Sequence, residues 1–156
     1  MHIRDHQRRD FPRRRALQAL LALPIALVGA ATAGSAFAQT TSNRNRLVIQ
    51  VSDADPKKWA LALNNAKNVQ QDLGKDKVDI EIVAYGPGID MLNADSEASP
   101  GVIQSMTDGV KVIACENTMR NRKLKREDMQ GGISYVGAGV VEIMQKQRQG
   151  WSYIRP

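Results

Sequence analysis

The chain has 156 residues, enough for one domain, and a formal net charge of +6 at pH 7. Residues 1–38 hold six arginines and two aspartates, so the rest of the chain carries a net charge of only about +2. A domain so close to neutral has no strong electrostatic reason to bind nucleic acid, and we expect no such partner.

Residues 1–38 have the three parts of a secretory signal. An arginine-rich segment precedes an apolar run at residues 16–33, and Ala36-Phe37-Ala38 is the small-x-small pattern that signal peptidase cleaves. One proline and two glycines lie in or directly after the apolar run, which disfavours a permanent transmembrane helix. We therefore expect cleavage after Ala38, a mature chain that starts at Gln39 in the periplasm, and no stable membrane insertion.

The pair Arg14-Arg15 directly before the apolar run resembles a twin-arginine signal, which exports folded proteins. The usual Ser or Thr before such a pair and the Phe-Leu after it are missing, so ordinary secretion is the alternative. Residues 39–45 are polar and are expected to form a flexible leader. The domain itself is predicted to span residues 46–156.

The domain begins with an apolar run at residues 47–51, typical of a strand buried on both faces. Asp55 and Pro56 then suit the cap and the first position of a helix, which Gly74 ends. Apolar side chains recur along that helix every three or four residues. These predicted inward residues are Trp59, Leu63, Ala66, Val69 or Gln70, and Leu73. A second strand is predicted at residues 78–85, before a Gly-Pro-Gly turn.

Residues 89–99 are expected to form a long polar connection with one helical turn around Met91. Ser99-Pro100 then starts a short helix, which ends at Gly109 and points Val102, Ile103 and Met106 inward. A third strand follows at residues 110–114, directly before Cys115.

The last third of the domain repeats the pattern. Asn117 or Thr118 is expected to cap a helix that runs to about Leu124, with a further turn at residues 126–129. Strands are predicted at residues 133–136 and 151–154, with a helix marked by Val140, Ile143, Met144 and Gln147 between them. Strands that alternate with helices predict a three-layer α/β/α fold. Its five-stranded, mostly parallel sheet has right-handed crossovers and helices on both faces.

Cys115 is the one nucleophile at the sheet edge where ligands bind, beyond the carboxyl ends of the strands. A helix start just after it would lower its thiol pKa through free N–H groups and the helix dipole. Arg120, Arg122 and Lys123 would add positive charge, and Asn117 and Thr118 could hydrogen-bond the sulfur. Cys115 could equally be a small buried hydrophobe that ends a strand, and both interpretations stay open.

The other candidate motifs give weaker evidence for a functional site. Both histidines lie in the predicted signal, which excludes Ser-His and Cys-His catalysis and makes a zinc site unexpected. Gly137-Ala138-Gly139 lacks the third glycine of a dinucleotide fingerprint and suits a tight turn, so no cofactor is expected. Asp53 and Asp55 have no third ligand for a cation. The basic run at residues 120–126 is typical of a solvated helix face.

Three stretches carry a family resemblance: ACENTM at residues 114–119, VGAGVVEI at 136–143 and QRQGWSYIRP at 147–156. With them the chain resembles the DsrE/DsrF-like family, in particular its small exported members, from about residue 46 to residue 156. The resemblance implies a five-stranded parallel α/β/α fold and homo-oligomers, usually trimers or hexamers. In better-studied cytoplasmic relatives a cysteine after the third strand carries a persulfide. Cys115 matches that cysteine, and Arg120 and Arg122 roughly match the basic residues that follow it.

The resulting hypothesis is an exported protein that binds or relays sulfur as a persulfide on Cys115. A sulfane-sulfur donor would load the thiol and a partner thiol would unload it. Asn117, Thr118 and Arg120 are the candidate ligand-binding residues. The alternative is a non-catalytic oligomeric binding module with a structural cysteine and a ligand or partner at the loop of residues 86–99.

Overall fold

In the computed structural model, which describes residues 44–156, strands and helices alternate along the chain. The strands are β1 (Asn45–Val51), β2 (Val78–Ala84), β3 (Lys111–Cys115), β4 (Ser134–Val136) and β5 (Ser152–Ile154). The α-helices are α1 (Pro56–Leu73), α2 (Ser99–Thr107), α3 (Glu116–Arg122) and α4 (Gly139–Arg148). The predicted element order and α/β class are confirmed. The predicted signal and all but the end of the leader lie outside the described residues.

All strand pairs in the sheet are parallel, and the strand order is β4-β3-β2-β1-β5. The chain adds β1 to β4 in one direction and then returns to place β5 on the other side of β1. Buried residues of α1, α2 and α3 join one core cluster, and Ile143 of α4 joins a second. The sheet therefore has a three-helix face and an α4 face, as the prediction of helices on both faces requires.

Alternating side chains of each strand supply the two cores. On the three-helix face, a large cluster includes Leu47, Ile49, Ile80, Ile82 and Val112. On the α4 face, the buried cluster is only Val48, Val83, Ile113 and Ile143. Both sides of the central strands are thus apolar, which explains the nearly unbroken apolar runs in the sequence. Within residues 44–156, no helix has the length and apolar character to cross a membrane.

Helix α1 begins and ends as its sequence indicates. The Asp55 carboxylate accepts a hydrogen bond of 2.9 Å from the Lys57 N–H, and Gly74 follows the helix with a φ of +91°. The buried residues are Trp59, Ala62, Ala66 and Gln70. The prediction that Leu73 points inward is wrong, because this last residue of the helix lies past the core and stays 45% exposed.

The region after β2 differs from the prediction in part. The predicted helical turn around Met91 is present, but it belongs to a longer 3-10 helix, Gly86–Leu92, whose Ile89, Met91 and Leu92 are fully buried. Gly88 makes this possible: a side-chain carbon there would lie 2.5 Å from the Val51 carbonyl oxygen. The glycine lets this segment pack directly against the end of β1. Because Ile89, Met91 and Leu92 are followed by a mostly polar stretch, the sequence alone did not indicate that they are buried.

Helix α2 also departs from the prediction in detail. Its cap position is Ala98, and the Ser99 hydroxyl instead donates a hydrogen bond to the Gln130 side chain. Val102 is fully buried, whereas Ile103 is 46% exposed, so its predicted inward orientation is wrong. The helix has only nine residues and contacts the core along one narrow stripe. Two consecutive side chains point in different directions from a helix, so both cannot lie on that stripe.

We expect Gly88→Ala to destabilise the fold by about 3 kcal/mol, because the added carbon would overlap backbone atoms that cannot move aside. Thermal unfolding followed by circular dichroism should show a midpoint lower by on the order of 10 °C. Gly131→Ala is the matched control, since a side-chain carbon there would meet nothing within 4 Å. Equal midpoints for the two variants would contradict the packing of Gly88 against β1.

Candidate functional site

The candidate site lies where β3 and β4 end side by side. From β3 the chain passes into α3 on the three-helix face, and from β4 it passes into α4 on the opposite face. Neighbouring strands whose following helices go to opposite faces leave a crevice between them, where parallel α/β sheets bind ligands. Cys115 is the last residue of β3 and points to the α4 side of this crevice.

Two helices begin at this cysteine. Helix α3 starts at Glu116, so Cys115 itself occupies the cap position and the predicted caps Asn117 and Thr118 are wrong. The chain turns into the helix immediately after β3, which leaves no room for a separate capping residue. Helix α4 starts at Gly139, where a side-chain carbon would lie 3.3 Å from the Cys115 Cβ. Glycine therefore allows the start of α4 to press against the thiol.

Opposing effects act on the Cys115 thiol. Burial raises its pKa, since a thiolate loses its hydration there. Hydrogen bonds lower the pKa: the Thr118 hydroxyl contributes most, followed by the backbone N–H groups of Gly139, Thr118 and Asn117. The net result is a pKa below the ordinary value for cysteine. These donors at the two helix starts thus outweigh burial and favour the thiolate.

Thr118 links the thiol to the turn after β2. Its hydroxyl oxygen accepts a hydrogen bond of 2.9 Å from the Gly86 N–H. With that bond occupying the oxygen, the hydroxyl hydrogen is free to point at the sulfur. Gly86 has a φ of +54°, a conformation that glycine adopts without strain. The turn after β2 therefore orients the donor that most favours the thiolate.

The other predicted site residues differ in how directly they act on the Cys115 sulfur. The Asn117 side chain is exposed and accepts a hydrogen bond from the Arg120 guanidinium, which is also exposed. The Asn117 N–H lies near the sulfur and also donates to the Gly137 carbonyl at 3.0 Å. Of the candidate ligand-binding residues, Thr118 contributes its side chain at the thiol and Asn117 its backbone. Arg120 turns to Asn117.

Other charges near α3 are largely paired. Arg122 forms an ion pair of 2.7 Å with Asp90, and Arg126 forms one of 2.7 Å with Glu116. At the end of β1, hydrogen bonds from Lys58 and then Arg155 lower the pKa of Asp53, which gives this carboxylate two cationic partners. Among residues 44–156, no group of three His, Cys, Asp or Glu side chains could hold a metal ion.

The sequence interpretation assigned Gly139 and Gly86 no contact with the thiol. Gly137-Ala138-Gly139 was expected to be a tight turn, and its last residue also begins α4 with an N–H group that lowers the pKa of the thiol. A glycine at the first position of a helix that follows a neighbouring parallel strand was the available signal. Tyr85, which packs against Gly139, was also missed, and burial raises the pKa of its hydroxyl.

Access to the sulfur is restricted. Cys115 is only 4% exposed, and a cleft of about 350 Å³ lies beside it, lined by Gly86, Pro87, Asp90, Thr118, Asn121 and Arg122. A second cleft of about 450 Å³ runs along the start of α4 next to Val136 and Gly137. Thr118 lines the first cleft and its hydroxyl acts on the thiol, whereas Cys115 itself lines neither cleft.

We expect Thr118→Val to slow alkylation of Cys115 by iodoacetamide at pH 7 by about fivefold, the loss of one hydrogen bond to a charged group. The pH profile of the rate should move to higher pH, because the thiolate loses its main donor. Thr118→Ser keeps the hydroxyl and should retain the wild-type profile. Thr107→Val, an exposed threonine whose hydroxyl bonds only to the Ile103 carbonyl, is the control. Unchanged kinetics in Thr118→Val would refute the role of this hydroxyl.

Solved structures with the same arrangement of strands and helices are known. MTH1491 of Methanobacterium thermoautotrophicum, a protein of unknown function, has a TM-score of 0.69 and 37% identity, with 72% of this chain and 99% of that chain covered. BT1422 of Bacteroides thetaiotaomicron, another conserved protein of unknown function, has a TM-score of 0.59 and 16% identity over 72% of this chain and 95% of its own. The ychN protein of E. coli has a TM-score of 0.59 and 11% identity over 72% of this chain and 99% of its own.

The last two likenesses concern the fold alone, because their identities are low. No curated protein matches the chain. The family model of the DsrE/DsrF-like family matches residues 33–156, which includes every strand and helix described above. By this match, and by the five-stranded parallel fold it shares with its structural neighbours, the chain belongs to the DsrE/DsrF-like family.

Proposed function

We propose that this protein binds or relays sulfur as a persulfide on Cys115. The observation that carries the proposal is the set of hydrogen-bond donors, above all Thr118 and Gly139, that lowers the pKa of this buried thiol. A structural cysteine needs no such donors, whereas a thiol that must form a thiolate does. Membership of the DsrE/DsrF-like family, which is generally linked to sulfur relay, supports the same class of chemistry.

The proposed reaction is an exchange in two steps. The Cys115 thiolate attacks the sulfane sulfur of a donor, a new S–S bond forms, and the donor's leaving group departs with the electron pair of the broken bond. An acceptor thiolate then attacks the outer sulfur, and Cys115 leaves again as a thiolate. Thr118 and Gly139 hydrogen-bond the Cys115 sulfur whenever it is negative, at the start of the first step and the end of the second.

This chemistry suits the groups that the site contains. Thiol exchange needs a stabilised thiolate and no external base, and the chain's two histidines both lie in the predicted signal. The proposed partners are accordingly a sulfane-sulfur donor and a protein or small molecule with a free thiol.

The alternative function is a non-catalytic binding module in which Cys115 is structural. The low exposure of Cys115, 4%, favours this alternative, because free cysteine is among the most buried residue types. The two functions differ in a measurable way. A structural thiol should react no faster than a model thiol at pH 7, and Cys115→Ser should leave ligand binding unchanged.

The protein is further proposed to act in the periplasm after cleavage behind Ala38. The support is the sequence pattern of residues 1–38, with its basic segment, its apolar run and its small-x-small end. An exported protein with a single cysteine cannot form a disulfide within its own chain. Its thiol is therefore either protected by burial or available for exchange, and a site that restricts access while favouring the thiolate suits such a compartment.

We also propose that the protein is a homo-oligomer, a trimer or a hexamer, joined through the exposed side of α4. Val140, Val141 and Met144 are 53%, 45% and 47% exposed on this one helix, which is an unusual concentration of apolar surface. The buried cluster beneath α4 is small, so a second copy packed on this helix would complete the thinner face of the sheet.

The persulfide is tested by intact-mass analysis of the protein from the periplasmic fraction after exposure to thiosulfate or polysulfide. We expect a gain of about 32 Da, one sulfur atom, that reductant reverses and that Cys115→Ala abolishes. The unreacted mass should correspond to a chain that starts at Gln39. No gain with any donor would sink the sulfur-relay proposal, and a mass that includes residues 1–38 would sink the export proposal.

The oligomer is tested by sedimentation equilibrium of the mature protein at micromolar concentration. We expect three or six copies in the wild type and monomers in the double variant Val140→Asp/Met144→Asp, because two carboxylates would remain buried in the interface. Leu61→Asp is the control, since Leu61 is 47% exposed on α1, on the other face of the sheet. A monomeric wild type, or an unaffected double variant, would contradict this interface.

A further inference from the structure

A buried ion pair connects the middle of the sheet to α4. Of the described residues, Glu81 is the one charged side chain in the core, and it lies on β2 with its side chain only 6% exposed. Its Oε1 atom is 2.7 Å from the Nζ atom of Lys146 on α4 and 3.3 Å from that of Lys111 on β3. Lys146 also lies 3.5 Å from Glu142 and over the ring of Trp151.

This ion pair is expected to add little to the free energy of unfolding. Burying two charges costs several kcal/mol, of the same order as their mutual attraction, and apolar pairs of similar volume are often at least as stable. The Oε2 atom of Glu81 is buried with no hydrogen-bond partner among the described residues. A carboxylate that is only half satisfied adds to the cost. The pair therefore calls for another reason, and its position supplies one.

Helix α4 has few other contacts that hold it in place. Its buried residues are Gly139 and Ile143, and Lys146 continues the same stripe at a spacing of three. Gly139 lies at one end of this stripe, against Cys115, and Lys146 lies at the other, against Glu81. Because a helix moves largely as a rigid body, the ion pair at one end constrains the N–H group at the other.

We infer that Glu81 is a positioning residue for Cys115: through Lys146 it anchors α4 and so holds the Gly139 N–H against the sulfur. The inference rests on the proposed role of Cys115 as the reacting thiol. Glu81 itself never touches the reactants. It determines whether the second helix start stays at the site, and without it the thiol retains burial but loses one of the donors that offset burial.

A direct electrostatic effect of Glu81 on the thiol would have the opposite sign. Removal of a nearby negative charge favours a thiolate, whereas release of α4 disfavours it. Glu81 pairs in register with Lys111, and Cys115 is four residues further along β3, a separation of about 13 Å along the strand. Lys111 and Lys146 offset the charge of Glu81 at that distance. The positioning effect should therefore dominate.

The test is the pH profile of Cys115 alkylation by iodoacetamide in the mature protein. In Glu81→Gln, which keeps the shape of the side chain, we expect the rate at pH 7 to fall about threefold to fivefold and the profile to move to higher pH. Lys146→Met should do the same, and Lys146→Arg, which keeps the cation, should retain most of the wild-type rate. Amide hydrogen exchange at Gly139 should become faster in the first two variants.

Asp79→Asn is the matched control, since Asp79 lies on the same strand and forms an exposed ion pair of 2.9 Å with Arg44. It should leave the alkylation profile unchanged. If Glu81→Gln fails to fold, Lys146→Met is judged by amide exchange at Gly139, because loss of the Lys146 cation by itself also disfavours the thiolate, while Glu81 keeps Lys111 as a partner.

A profile that moves to lower pH, or stays unchanged in folded Glu81→Gln or Lys146→Met, overturns the inference. Alkylation needs no sulfur donor, so these outcomes are independent of the persulfide test. A missing gain of about 32 Da would refute sulfur relay and leave the positioning result standing.

Discussion

The close approach of α4 to the end of β3 is the constraint on which the site depends. At Gly139 a side-chain carbon would sit 3.2 Å from the Val83 and Tyr85 side chains and 3.3 Å from the Cys115 Cβ. A glycine lets a second helix begin there without displacing these side chains, after Cys115 has already begun α3. The N–H groups of both helix starts therefore act on one thiol and lower its pKa. If α4 were displaced, burial would act on the thiol with fewer donors to oppose it.

Burial and hydrogen bonding have complementary roles at this sulfur. Burial disfavours the charged form, yet it also excludes water, and donors act more strongly on a charge in such surroundings. The result is a thiol with a lowered pKa that exposes only 4% of its surface. In the proposed sulfur relay, selection of the reactant would fall to the clefts beside Thr118 and α4.

The two faces of the sheet differ in how they are packed. The three-helix face holds most of the core, including the 3-10 helix that Gly88 admits against β1, and supplies the bulk of the packing. The α4 face has a small core, a buried ion pair and exposed apolar residues on a single helix. The thiol, the proposed anchor at Glu81 and the proposed oligomer surface all lie on this thinner face.

The spacing of apolar residues and the glycines and prolines between them predicted the element order, the parallel fold and the place of Cys115 at a strand end. These three features follow from local spacing along the chain. The family resemblance rested on the same residues. Tertiary contacts decided the rest. Glu81 stands between apolar residues of β2, and it is buried because α4 packs across the sheet and brings Lys146 to it. The roles of Gly88 and Gly139 depend on atoms distant in sequence that would lie 2.5–3.3 Å from an added side-chain carbon. No pattern within one segment records such distances, so the sequence determined where the thiol is, and the packed fold decided what surrounds it.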